Sequence, residues 1–232
     1  MKINFFEEFP TEENLRKAKL IDFSSTIYIA AKSLKQFTTL EKRLHEINPK
    51  LKAGYWPILE KSYWISPFSY TYELKNLFKQ LLKNKQDKPL EVLIDLELPF
   101  LNKKLFLENF SSFHINKKLI EKLFEKANNL NIEILTAEYP ATSKLFQKAL
   151  EWLGVSYPIE KYSHKKVVML YSSLIKNKFI LNQMKNFIIQ KSREYGRNLQ
   201  VGLGTIAKGI LGNKPIIPHF YVFISVNAFC FL

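Results

Sequence analysis

Apolar and polar residues follow two alternating rhythms along this chain. Short apolar runs, as in a strand covered on both faces, alternate with longer stretches in which apolar residues return every three or four positions, as on one side of a helix. The runs predict strands at Lys2–Phe6, Leu20–Ala30, Lys50–Trp56, Leu90–Leu98, Ile132–Ala137, Lys165–Tyr171 and Asn198–Gly202. The stripes predict helices between them: Phe37, Leu40, Leu44 and Ile47 mark one, and Leu74, Leu77, Phe78, Leu81 and Leu82 another. Further helices are predicted at about 116–129, 142–153 and 174–195. Thr11 before two glutamates, and Ser33 three residues before Gln36, are helix-start signals. Gly154 is a stop signal.

Seven strand-then-helix units predict a parallel sheet. With right-handed crossovers they close most simply into a single-domain α/β fold, a (β/α)8 TIM barrel over residues 1–215. An open doubly wound sheet is the alternative. Residues 216–232 break the rhythm, with no charged side chain apart from any charge on His219 and no helix to cover an eighth strand. Phe220–Val226 reads as strand 8, so the expected barrel has an atypical or incomplete closing unit. The same tail also reads as a membrane-contacting anchor, or as the product of a truncated or frameshifted gene.

With 232 residues, 47% of them hydrophobic, the chain can bury a sizeable core. The single cysteine, Cys230, excludes an internal disulfide framework and suits a reducing compartment. Acids at Glu7 and Glu8 interrupt any signal-peptide-like start, so the expected location is the cytoplasm. The net charge of +14 is uneven: residues 161–214 hold eleven Lys/Arg and one acid, Glu194. Such a surface favours anionic partners, although no nucleic-acid motif is present.

The stretch Leu90–Pro99 concentrates the chemistry. Asp95 and Glu97 lie two apart in a strand and so share a face. Two acids on one face repel, and burial raises at least one pKa, which is how a carboxyl becomes a general acid near neutral pH. Parallel barrels build their sites at C-terminal strand ends. Those ends collect Glu7 and Glu8, Tyr55 and Trp56, Asp95 and Glu97, Glu138 and Tyr139, Tyr171, and Gly202 with Gly204, whereas the opposite ends carry Lys2, Lys50 and Lys165. Glu97 and Asp95 are therefore the candidate acid–base pair. Glu8, Tyr55, Trp56, Trp64, Glu138 and Tyr139 are candidates to line a site for a small-molecule or oligosaccharide substrate, the aromatic rings offering flat faces to sugars.

Glu91-x-Leu93-x-Asp95-x-Glu97 resembles the alternating acidic strand of the family 18 glycoside hydrolases, the chitinase-like barrels. Met169-Leu170-Tyr171-Ser172 is similar to that family's Met-x-Tyr-Asp on strand 6. Glu91 and Leu93 stand where the family has aspartates, and Ser172 replaces its last one. The resemblance implies Glu97 as acid/base, with Asp95 and Tyr171 assisting the substrate's acetamido group in a substrate-assisted, retaining hydrolysis without a cofactor.

A second function class rests on Gly202, Gly204, Thr205 and Lys208. A glycine-rich turn leading to a helix N-terminus can hold a phosphate. Glu8, Asp95, Glu97 and Glu138 would then offer hard oxygen ligands to Mg²⁺ or Ca²⁺, which describes a phosphodiesterase-type hydrolase. The His-Arg-Gly signature of glycerophosphodiesterase barrels is missing. A third class is a non-catalytic binding barrel that uses the aromatic stretch 63–68 and the basic C-terminal third.

Overall fold

The structure is a computed structural model that describes residues 3–83, 89–99, 102–170, 177–203 and 221–225. Seven parallel strands run in chain order: β1 (Ile3–Glu7), β2 (Ser25–Ala31), β3 (Leu51–Pro57), β4 (Leu90–Asp95), β5 (Ile132–Glu138), β6 (Lys165–Leu170) and β7 (Leu199–Leu203). The sheet curls, and β8 (Tyr221–Ser225) lies antiparallel between β7 and β1. A (β/α)8 TIM barrel needs a parallel eighth strand delivered by a crossover. That expectation is therefore corrected: the fold is α/β with a seven-stranded parallel curled sheet, and the strand bridging its edges runs the wrong way for a (β/α)8 barrel. β8 falls within the stretch read as strand 8.

Eight α-helices accompany the strands: α1 (Glu12–Arg16), α2 (Leu34–Ile47), α3 (Thr71–Lys83), α4 (Lys103–Asn109), α5 (Phe113–Ala127), α6 (Lys144–Trp152), α7 (Ile159–Tyr162) and α8 (Lys178–Tyr195) among the described residues. The cap signals act locally. The Asn14 amide donates to Thr11 Oγ1 at 3.2 Å, and the Gln36 amide to Ser33 Oγ at 3.2 Å. Gln36 reaches back to the Lys32 amide, one residue earlier than a standard capping box. Gly154, at φ +68°, ends α6. The strand expected from Leu20 starts later, at Ser25, because Lys17–Leu20 forms a 3₁₀ turn. Buried Asn48 donates to the Ala18 and Ile21 carbonyls and holds that turn in place.

Strand alternation divides the apolar residues between two cores. Phe6, Tyr28, Ala30, Trp56, Leu93, Leu135, Ala137 and Val167 fill the inside of the curl. Val92, Ile94, Ile132 and Ile134 face outward and pack with Leu74, Leu77, Leu81, Ile120 and Phe124 of α3 and α5. Among the described residues, no helix is long and apolar enough to cross a membrane.

Candidate functional site

Register decides which strand-end residues meet. Asp95 pairs with Ala137, so the next inward positions are Glu97 beyond β4 and Tyr139 beyond β5. Phe6 faces inward on β1, so Glu8 follows it to the same side. The result is a carboxylate cluster at the C-terminal mouth of the curl, in which Asp95 feels both Glu97 and Glu8. Burial, then the charges of Glu97 and Glu8, push the Asp95 carboxyl well above its usual range. Glu97 is pushed up to about 7, chiefly by burial and further by Glu8, against the lowering effect of hydrogen bonds from Trp64 and Tyr139. Burial also raises Glu8, opposed by the Tyr63 hydroxyl, which donates to Glu8 Oε1 at 2.8 Å.

The loop after β3 brings the aromatic residues to these acids. Trp64 Nε1 donates to Glu97 Oε2. The Tyr63 and Trp64 rings lie 3.8 Å apart, and Tyr63 takes φ +64°. Ile65 bridges to Leu96, and its amide donates to the Asp95 carbonyl at 3.1 Å, so the loop is tied to the strand that carries the acids. Two buried polar side chains fix the loop from behind. Glu73 accepts from the Lys61 and Ser62 amides and from Ser62 Oγ at 2.7, 3.1 and 2.6 Å. Asn116 of α5 donates to the Pro67 and Ser69 carbonyls at 3.0 and 2.6 Å. Tyr63 is legible in the sequence only as part of the aromatic stretch 63–68, whereas Glu73 and Asn116, which stand in no recognisable motif, read as ordinary helix positions.

Of the residues expected at the site, Asp95, Glu97, Glu8, Trp64 and Tyr139 come together. Trp56 lies beneath them, almost fully buried against Phe6 with ring centroids 5.4 Å apart; it forms floor rather than an open stacking face. Tyr55 points the other way and packs on Phe37 in the outer core. Glu138 also faces outward. It accepts from Thr136 Oγ1 (2.7 Å) and Ser156 Oγ (2.5 Å) and pairs with Lys166 Nζ at 2.9 Å. Burial alone would raise this carboxyl, but Lys166, His164 and Ser156 outweigh it and hold the pKa down at about 2. Glu138 is thus a buried structural anion. Glu91, the first acid of the motif, lies at the opposite end of the curl and accepts from the Tyr28 hydroxyl at 2.9 Å.

Tyr171, Gly204, Thr205 and Lys208 lie outside the described residues; Gly202 is in β7, paired with Met169. Among the described residues, no three His, Cys, Asp or Glu side chains form a group that could hold a metal ion. A cavity of about 400 Å³ lies elsewhere, lined by Lys117, Lys148, Trp152, Ser156, Tyr157 and Lys161 among others, and none of the three mouth acids touches it.

The sequence matches no protein-family model and no curated protein. A solved structure with some similarity is that of YwfH, an NADPH-dependent reductase involved in bacilysin biosynthesis. It is 12% identical, over 77% of this chain and 75% of that one, and the TM-score of 0.34 is too low to bear on fold or activity.

Proposed function

We propose that the mouth cluster is the acid–base site of a glycosidase-type hydrolase. One observation carries the reading: Glu97 is held up to about 7 beside a second raised carboxyl, Asp95, in contact with Trp64 and Tyr139. A carboxyl with such a pKa keeps its proton near neutrality and can give it up in the transition state. Glu97 would protonate the glycosidic oxygen as the C–O bond breaks. Water then supplies hydroxide to the anomeric carbon and returns its proton to Glu97, so the balance is one water consumed per bond cleaved. Burial and the charge of Glu8 keep Glu97 protonated, and Asp95, itself raised by burial, Glu97 and Glu8, orients the substrate. Trp64 presents an apolar ring at the same mouth. The lone cysteine supports a cytoplasmic location for this chemistry.

The test is turnover of aryl glycosides and chito-oligosaccharides by the whole chain. Glu97→Gln should lower kcat by about 10²–10⁴-fold while the thermal transition stays cooperative. The wild-type rate should fall on the alkaline side of about pH 7. Turnover unchanged in Glu97→Gln, or no glycoside cleaved by the wild type, would refute the assignment.

A further inference from the structure

The outer side of α4 and of the 3₁₀ turn that continues it from Phe110 reverses the usual arrangement of a surface helix. Positions spaced to share one face, Lys103, Phe106, Leu107 and Phe110, point to solvent, while Leu105 and Asn109 turn inward. Leu107 and Phe110 are 73% and 64% exposed, and Phe106 37%. Scattered apolar residues on a surface are ordinary, but three on one helical face are not. Their base is rigid: Phe106 stacks on buried Phe68 at 4.5 Å and meets Phe110 at 6.0 Å. Phe68 packs in turn on Phe113, which meets exposed Trp152 at 6.0 Å.

Charge selects the occupant. Lys103 and Lys104 precede the apolar face, and Lys118 is exposed on the next helix. The acid beside this face, Glu108, is engaged by the Tyr70 hydroxyl at 2.7 Å and by Lys104, one turn before it, at 3.6 Å. Aromatic and leucine side chains bordered by lysines are complementary to an anionic lipid surface. The rings enter the headgroup boundary and the ammonium groups meet phosphates. We propose that this face docks the protein on an anionic bilayer through Phe106, Leu107 and Phe110, with Lys103 and Lys104 supplying the electrostatic attraction. The segment follows β4, at the C-terminal strand end that carries Glu97. Docking therefore places that mouth near the lipid surface, whatever reaction it performs.

The test is co-sedimentation of the full chain with phosphatidylcholine vesicles, with and without phosphatidylglycerol. Binding is expected only with the anionic lipid, and it should weaken as salt is added. Leu107→Ser and Phe110→Ser should each reduce partitioning about tenfold, and Lys103→Ala and Lys104→Ala roughly fivefold each. Because these side chains are exposed, melting temperatures should stay at the wild-type value, which separates lost docking from lost folding. Equal binding to neutral and anionic vesicles, or binding indifferent to all four variants, would overturn the proposal. A concentration-dependent dimer abolished by Phe110→Ser, without vesicle binding, would also overturn it and assign the face to a second copy of the chain.

Discussion

Gly54 sets the space beneath the acids by lacking a methyl group. A Cβ there would stand 2.3 Å from the Tyr28 ring. That ring cannot swing aside freely, because it is buried and its hydroxyl is fixed on Glu91. Gly54→Ala should therefore destabilise the fold by about 1–3 kcal/mol through overpacking. At roughly 2–4 °C per kcal/mol for a chain of this size, calorimetry would register it. Most of the cost should vanish in a Tyr28→Leu background, since the two side chains contend for one volume; equal costs in both backgrounds would place the strain elsewhere. The same single-residue logic explains what was legible at the site. Asp95 and Glu97 could be paired from sequence because a strand repeats every two residues. By that rule Tyr55 and Trp56 cannot share a face, nor can Glu138 and Tyr139. Their assignment to one site ignored the alternation, and the register sent Tyr55 and Glu138 outward.

Among the elements, the loop from Leu59 to Ser69 does the positioning, and it owes its shape to residues far away in sequence. Asn116 is fully buried and satisfies two loop carbonyls while accepting from Thr71 Oγ1 at 2.8 Å. Asn116→Ala leaves those buried groups unpaired, which costs about 1–3 kcal/mol. It should also loosen Trp64 from Glu97. Because that hydrogen bond lowers the Glu97 pKa, its loss should move the alkaline limb of the pH–rate profile upward. A loss of stability with no movement of that limb would mean that Trp64 stays in place without Asn116. None of this was legible beforehand. Caps, apolar runs and helical stripes report local preference, and they located six of the seven parallel strands to within three residues, the second starting five residues later than expected. The partners of Glu73 and Asn116, and the direction in which β8 runs, depend on tertiary contacts that no local pattern encodes.

The whole molecule holds buried acids of opposite tendency, and together they set its stability against pH. Glu97 is raised to about 7 and so is Glu7, in both cases chiefly by burial. A carboxyl raised on folding binds more protons in the native than in the unfolded state between its two pKa values. Stability should therefore fall as pH climbs from the unfolded value of 4.5 towards 7, then level off. Each of the two groups contributes on the order of 1–3 kcal/mol to that decline. Glu138 works in the other direction. Lowered to about 2 by Lys166, it stabilises the fold above 4.5 and loses that contribution as pH drops through the range down to 2. The two limbs meet near pH 4.5, so the melting temperature should peak in mildly acidic buffer rather than at neutrality. Replacing Glu7 and Glu97 together by glutamine should flatten part of the neutral limb, because neither position can then ionise; the raised carboxyls of Asp95 and Glu8 keep the remainder, and the acid limb set by Glu138 stays as it was. Melting curves for both proteins across the acid and neutral range decide the matter. A wild-type maximum at neutral pH, or a neutral limb unchanged in the double variant, would mean that these carboxyls ionise in the fold as they do in water.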